Sequence, residues 1–550
     1  MLSLKRRSGN LSVWGLNLEL DRDDEHIIRK TRAHIKMSSK PEDVVFLCEK
    51  YPELKQVVDF EYYSRWAKAL KVAKRPRKYK IEYKMKPFPH QEQAISFALS
   101  LPACALFMEP GTGKTFVALK VAETRIQLGK SKKVLVIAPA SILYTGWLED
   151  MSKFTDLRGV VASNKPMRWR GTTSYRKAHK KWGDEAPEDL KLKDKSIEEI
   201  LQLEDRDVFL TNFQTLYRNV EVFESAGFDT VIVDESTMMK NPSGEFFKSA
   251  MCVGDNATYR MILTGTPYTN SYMDLWSQMK FVDGSLDMTI GEFTARFFTQ
   301  NSKHAWLYHL KRGASQQILS EISDRCLFIP KSVLGDLPDR EVRVMSVETS
   351  GKLKKHYDEM LEDLLTVLDN EHEVEARNVM VGALRLHQIM QGHVDGQEIE
   401  KPKKLSALKE IVDQSPDKVV VWAKYKQDFR WIKELFPGCC VINGDTTDAG
   451  EQSKKFLDPK GPKVMLAHPQ SAKFGHTWNC AKTSVFYSYD FNLESYLQAR
   501  DRNYRIGQKS DVVEYVLSCG GIEDRIIEAL RGKKEVSDNM LRDLLRKSEI

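Results

Sequence analysis

Short apolar runs recur along this chain, with longer amphipathic stretches between them. From residue 90 to about 330 the runs are ALFM (105–108), VLVIAP (134–139), VFLT (208–211), TVIVD (230–234) and MILTGTP (261–267). Apolar at successive positions and separated by helical spacing, they predict strands of a parallel sheet covered on both faces. From about 400 the rhythm returns in VVVWAK (419–424), CCVING (439–444), VMLAHP (464–469), SVFYSYD (484–490) and VVEYVL (512–517). The expected fold is therefore α/β, with two parallel-sheet lobes in tandem. The stretch between them, 331–400, is charged and helical in pattern and reads as a connector or insertion.

Ahead of the first lobe, Val13, Leu16, Leu18 and Leu20 suggest a short strand. Residues 41–73 carry helical spacing through Val44, Leu47, Leu54, Val57, Val58, Trp66 and Leu70. A basic run, KRPRKYK (74–80), then gives way to Pro87 and Pro89, which places a boundary near 86. The predicted division is a small N-terminal α+β accessory domain (1–85), a first lobe (86–330), a helical connector (331–400) and a second lobe (401–550).

Composition narrows the class without naming a function. The 550 residues are 41% hydrophobic and 29% charged, which excludes a disordered or fibrous chain and fits two to four domains. No apolar run approaches the roughly eighteen residues of a membrane span, and the opening MLSLKRRSGN lacks the apolar core of a secretory signal. A cytoplasmic location with no membrane partner is the expectation. The net charge of +7 permits a polyanion partner. Eight cysteines without a CxxC pair point to free thiols in a reducing compartment rather than to a zinc site.

The candidate chemistry begins with EPGTGKT (109–115), between the apolar run ALFM and a helical stretch, FVALKVAETRIQL. Glycines at 111 and 113 would let backbone amides turn toward phosphate oxygens, Lys114 would reach the β and γ phosphates, and the Thr115 hydroxyl would ligate magnesium. Pro110, Gly111, Thr112, Gly113, Lys114 and Thr115 form the predicted nucleotide-binding loop. Its usual first small residue is replaced by Met108. In VIVDEST (231–237), Asp234 suits magnesium and Glu235 suits polarising a water, although an acidic pair after a strand also serves as a helix N-cap. LTGTP (263–267) is either a simple turn or a hydroxyl-bearing sensor of hydrolysis.

QARDRNYRIGQ (498–508) places Arg502 and Arg505 three residues apart. On a helix that spacing usually marks a solvated face. Beside a nucleotide loop elsewhere in the chain, the same pair suits the charge that spreads over a transferring γ-phosphoryl group. The stretch 162–182 holds seven Lys/Arg and no Asp/Glu, with Trp169, Tyr175 and Trp182 interleaved. Arg168 and Arg170 within it are candidate nucleic-acid contacts, and a solvated surface insertion is the competing reading. KRPRKYK has the same two readings.

Taken in order from about 86 to 545, these motifs resemble the superfamily 2 helicases, specifically the Swi/Snf-type double-stranded-DNA translocases. FPHQEQAI (88–95) resembles the adenine-reading glutamine motif, with Gln91 in that role. VLVIAPASILYTGWLEDMSKF (134–154), FLTNFQTL (209–216), VIVDESTMMKNPSG (231–244) and LTGTPYTNSYMDLWSQMKFVDG (263–284) resemble motifs Ia, Ib, II and III. QARDRNYRIGQ matches motif VI, and IEDRIIEALRGKKEVSDNML (522–541) is similar to the helix that braces the lobes in this family. Two departures stand out. Thr237 replaces the histidine that often links the ATP site to the other lobe, and in SAKFGHTWNCAK (471–482) only Ser471, Gly475 and Thr477 keep motif V. The Gly-x-Thr spacing there is closer to the annealing-helicase branch than to nucleosome remodellers, and compact relatives of this kind occur in phages and bacteria.

The resemblance implies two RecA-like lobes that hydrolyse ATP with Mg2+, using Lys114, Asp234, Glu235, Arg502 and Arg505. It implies double-stranded or branched DNA as partner, with RNA as an alternative, contacted by loops around Ser141, Asn212 and Ser471. It also implies a place at the nucleoid, or in the host cytoplasm for a phage protein. Two rival readings keep the same ATP motifs: a strand-separating helicase on forks, R-loops or RNA, and a nucleotide-gated DNA-binding scaffold.

Overall fold

The computed structural model describes residues 3–7, 10–14, 27–31, 34–38, 41–51, 54, 79, 81–163, 195–268, 271–282, 288–300, 308–334, 338–370, 376–446, 448–471, 477–505, 508 and 510–531. Arg168, Arg170, the aromatics of 162–182, KRPRKYK apart from Tyr79, Gly475 and the part of 522–541 beyond 531 lie outside these residues. The chain divides into two compact units, which separate between Val333 and Leu334.

The first unit opens with a four-stranded antiparallel sheet of β1 (Ser3–Arg7), β2 (Asn10–Trp14), β3 (Ile27–Thr31) and β4 (His34–Ser38), in the order β1-β2-β4-β3. Of the positions expected to form a strand, Val13 lies in β2, while Leu16, Leu18 and Leu20 lie outside the described residues; the other three strands of this sheet carried no alternation clear enough to be read. Helix α1 (Pro41–Lys50) covers Val44 and Leu47 of the stretch expected to be helical, while Val57, Val58, Trp66 and Leu70 lie outside the described residues.

Helix α2 (Pro89–Ser100) leads into a seven-stranded, all-parallel sheet. Its strands are β5 (Ala103–Met108), β6 (Val134–Ile137), β7 (Gly159–Val161), β8 (Val208–Thr211), β9 (Thr230–Asp234), β10 (Tyr259–Thr264) and β11 (Cys326–Ile329). Their order is β11-β5-β10-β9-β6-β8-β7. Every residue of β5, β6, β8, β9 and β11 is buried, which is why these strands read as continuous apolar runs rather than alternating ones. Helix α3 (Lys114–Gln127) follows β5, and α4 (Asp274–Val282) follows β10. Both bury most of their length against this core.

The second unit is built on a six-stranded parallel sheet: β12 (Arg340–Ser346), β13 (Lys418–Trp422), β14 (Cys440–Ile442), β15 (Val464–Ala467), β16 (Ala481–Phe486) and β17 (Val512–Ser518). The order is β12-β17-β16-β13-β15-β14. One correction to the sequence reading falls here. Residues 340–346, expected inside a helical connector, form an edge strand paired along its whole length with β17. REVRVMS alternates charge and apolar side chains with period two, and the surrounding charged stretch obscured that signal. The helical expectation holds for α5 (Gly351–Asn370) and α6 (Ala376–Met390). Helix α7 (Leu493–Arg500) carries the start of QARDRNYRIGQ.

Among the described residues no helix is long and apolar enough to cross a membrane.

Candidate active site

In a parallel sheet, the loops leaving the carboxyl ends of the strands gather along one edge, and this is where such folds bind ligands. In the first unit, EPGTGKT leaves β5, Ser141 lies just beyond β6, Asn212 follows β8, DEST follows β9 and TGTP follows β10. Motifs scattered over more than a hundred residues thus share one edge.

The glycine loop has the backbone its sequence required. Gly111 and Gly113 adopt φ of 88° and 93°, a left-handed region that costs other residues about 1 kcal/mol or more. Gly113 is also fixed by crowding, since a Cβ there would lie 2.2 Å from Nε2 of Gln91. Thr112 closes the turn by donating its hydroxyl to the Glu109 carbonyl (2.7 Å). Lys114 donates its ammonium to the Met108 carbonyl (2.9 Å). This accounts for the unusual residue at 108: the position contributes a backbone oxygen, while its side chain is buried in the sheet. Glu109 is held in turn by the Lys331 amide (2.6 Å) beyond β11. Thr115 sits half-buried in the first turn of α3.

Gln91 lies against this loop. Its Oε1 accepts from the Phe88 amide (3.0 Å), and its Nε2 donates to the Thr112 carbonyl (3.2 Å). His90 Nε2 reaches the same carbonyl at 2.9 Å. Both ends of the glutamine amide are therefore spent inside the protein, and α2 grips the phosphate loop through two side chains.

Asp234 ends β9, almost wholly buried. Trp147 donates its indole N–H to one carboxylate oxygen (3.0 Å), and the Glu235 amide donates to the other (2.9 Å). Burial pushes the Asp234 carboxyl upward, against the Lys114 ammonium, the indole and the amide, which favour its charged form. Glu235 has φ 51° and ψ 56°, a left-handed conformation that is strained for a side-chain-bearing residue. It turns the chain from strand to the 3-10 helix Ser236–Met239 in a single residue. Thr237 is buried, and its hydroxyl has no hydrogen-bond partner among the described residues.

TGTP packs directly on the glycine loop. A Cβ on Gly265 would meet Pro110 Cδ at 2.7 Å and the Met108 carbonyl at 3.2 Å, so only glycine fits between the two turns. Ser141 is exposed. Asn212 uses its side chain locally, accepting from the Thr215 amide (3.0 Å) to cap the next helix.

In the second unit, the arginine pair does not sit on a helix face. Helix α7 ends at Arg500, and the Arg502 amide bonds back to the Ala499 carbonyl (3.0 Å) in a tightened last turn. Arg502 is buried, with Nε donating to the Gln498 carbonyl (2.9 Å), while its own carbonyl accepts from the Trp478 amide (2.7 Å). Arg505 Nη1 donates to Thr477 Oγ1 (3.4 Å), which joins the motif VI turn to the end of motif V. Gln508 stitches the turn shut through the carbonyls of Asn503, Asn479 and Ala481. Arg500 is structural: it pairs in the interior with Glu514 of β17 at 2.7 Å. Ser471 lies in the turn after β15, its amide bonded to the His468 carbonyl (3.0 Å).

Sequence reasoning passed over three participants. Trp147, Glu109 and Gln278 of α4 each fall inside a motif, but nothing in the sequence gives any of them a role of its own.

The two sheets, the glycine loop and the carboxylate turn define a nucleotide-hydrolysing protein of the helicase type. The SNF2-related domain model matches residues 34–395 and the helicase conserved C-terminal domain model matches 403–507, so the chain belongs to the SNF2-related family of superfamily 2 helicases and is an ATP hydrolase of that class. It is 26% identical over 488 residues to protein p41 of Acyrthosiphon pisum secondary endosymbiont phage 1, covering 84% of this chain and 99% of that one. It is 25% identical over 449 residues to an uncharacterized ATP-dependent helicase of Mycoplasma pneumoniae, covering 79% of this chain. This chain spans only 40% of the mycoplasma protein. Among solved structures, the Sulfolobus solfataricus SWI2/SNF2 ATPase core in complex with dsDNA aligns over 84% of this chain and 94% of that one, at 22% identity and a TM-score of 0.41.

Proposed function

We propose that the protein is an ATP-driven motor that tracks along duplex DNA. The observation that carries the ATP-hydrolysing half of this reading is the juxtaposition, along one sheet edge, of a left-handed glycine loop, the Lys114 ammonium, and the buried Asp234 carboxylate beside a strained Glu235; the family supports DNA as the partner. On this reading Lys114 exchanges the Met108 carbonyl for the β and γ phosphates of ATP, and the amides of 111–115 cradle them. The residues present fit Mg2+: the Thr115 hydroxyl and a buried carboxylate that burial pushes upward and that a cation would help ionise, alongside Lys114, Trp147 and the Glu235 amide. When bound, the ion would neutralise phosphate charge. Glu235 orients and polarises the attacking water. Gln91, committed to the loop at both ends, acts on the nucleotide by fixing the loop that holds it.

Arg502 and Arg505 are the proposed source of positive charge for the γ-phosphoryl group during turnover. Supplying that charge from the second unit makes hydrolysis conditional on the relative position of the two units, which ties chemistry to movement. DNA is expected to bind through phosphate contacts from loops at Ser141, Asn212 and Ser471, giving weak sequence preference and strong salt sensitivity. The test is ATP hydrolysis titrated separately with duplex, single-stranded and forked DNA and with RNA. Stimulation by duplex supports the reading; stimulation by single strands or RNA alone overturns it.

A further inference from the structure

We infer that Gln278 is a positioning residue that locks the carboxylate turn to the TGTP turn. Ser236, directly after Glu235, is fully buried and donates its hydroxyl to Gln278 Oε1 at 2.7 Å. Gln278, also fully buried, donates its Nε2 to the Pro267 carbonyl and to the Asp274 carbonyl (2.7 Å). One amide thus accepts from the turn after β9 and donates to the turn after β10. The neighbouring Ser277 donates to the Lys240 carbonyl (2.9 Å), so α4 grips the DEST turn near both of its ends.

The polarity of this relay is exacting. A hydroxyl donor, an amide oxygen, an amide nitrogen and a carbonyl acceptor follow one another with no access to water. Buried polar groups are retained only where each has its partner, and loss of one strands the next. An apolar residue at 278 would fill the same space at no such cost if packing were the only demand.

The relay closes a ring. Pro110 of the phosphate loop packs on Gly265, the TGTP turn continues to Pro267, Gln278 links Pro267 to Ser236, and Ser236 adjoins Glu235 and Asp234. Displacing the carboxylate turn therefore displaces the turn that supports the phosphate loop. Thr237 carries no part of this link, its hydroxyl being unpartnered among the described residues. Because the strained Glu235 leads into the same turn, the relay also holds that residue in its left-handed conformation. Gln278 acts through these turns, not on the substrate itself.

The inference rests on the ATPase reading, and the experiment separates the two. Ser236→Ala, Gln278→Met and the double variant are compared with the intact chain for Tm, ADP affinity by calorimetry, and kcat and KM for ATP. Each single variant leaves an orphaned partner and should lower both Tm and kcat, the latter roughly 10-fold. The double variant removes the Ser236 donor together with its acceptor, so Tm should recover above that of Gln278→Met but short of the intact chain, the Pro267 carbonyl still lacking its donor. Its kcat should stay roughly 10-fold down, no lower than in either single variant, with ADP affinity unchanged. A double variant that regains kcat together with Tm would overturn the relay and leave Gln278 as packing. An intact chain that does not hydrolyse ATP would overturn the underlying reading as well.

Discussion

Trp147 donates its indole N–H to the Asp234 carboxylate across 3.0 Å, in a part of the core where the tryptophan has no exposed surface. The bond joins the helical turn after β6 to the end of β9 and leaves Asp234 with little rotational freedom. Trp147→Phe keeps an aromatic filling but removes the N–H. We expect kcat to fall about 10- to 100-fold and the Mg2+ requirement to rise, the effect of loosening a carboxylate that is proposed to hold the ion. Mg2+ titration of ATP hydrolysis, with calorimetric Mg2+–ADP binding as a readout free of turnover, checks this. An unchanged Mg2+ dependence would assign Trp147 to packing alone.

Gly265→Ala tests whether the TGTP and glycine turns act as one unit. The new methyl group would sit 2.7 Å from Pro110 Cδ, against a proline ring that cannot swing aside. Overpacking of this kind costs about 1–3 kcal/mol. Thermal melting should show that loss, and steady-state kinetics should show a raised KM for ATP from the shifted loop.

The two arginines should separate by stability. Both Arg502→Ala and Arg505→Ala are expected to lose about 10³-fold or more in kcat. Arg502 is buried and bonded to the Gln498 carbonyl, whereas Arg505 reaches Thr477 near the surface. Only the Arg502 change should lower Tm appreciably. Equal Tm losses would mean that Arg505 is also a structural residue.

A pH test follows from a buried cluster in the second unit. Burial pushes the Asp428 carboxyl up to about 7, despite bonds from Ser488 and the Tyr425 amide and the charge of Lys404. His393 Nε2 lies 3.8 Å away and is itself pushed down to about 4 by burial, so it stays neutral. A folded-state pKa raised above the unfolded value stabilises the fold fully below the usual carboxylate range, and the contribution disappears as pH rises through about 7. Glu523 behaves oppositely. Burial raises it, but Lys404 and His387 outweigh that and hold it down to about 2, so its contribution is lost only as pH falls toward that value. His393 and His387, kept neutral in the fold by burial, contribute with the opposite sign as pH falls below the usual histidine range, so the Asp428 effect is isolated by comparing a variant at that residue with the unmodified chain. Asp428→Asn, which keeps an acceptor for Ser488 and gains a donor for His393, should raise Tm at pH 8, with the difference shrinking below about pH 7 and closing near the usual carboxylate value of about 4. A constant offset across that range would contradict the titration.

The sheets were legible because their strands are buried on both faces and appear as uninterrupted apolar runs such as TVIVD and VVVWA. The glycine loop and the carboxylate pair stood out in the sequence because phosphate chemistry asks for particular residues at short spacing, and the structure sets both turns on one sheet edge. What escaped has a common cause. Trp147 meets Asp234 across 87 residues, and Gln278 meets Ser236 across 42, so each pairing depends on the strand order of the sheet rather than on local pattern. The edge strand β12 was missed because its charged alternation lay within a helical stretch, and the turn that carries Arg502 and Arg505 because their spacing also suits a helix.

ATP hydrolysis by the full chain, titrated with duplex DNA at low and moderate salt, bears on all of this at once. Turnover should rise with duplex, weaken as salt competes for phosphate contacts, and vanish in Glu235→Gln. Turnover that ignores duplex but responds to single strands or RNA would contradict duplex tracking, and turnover that survives Glu235→Gln would remove the carboxylate turn from the chemistry.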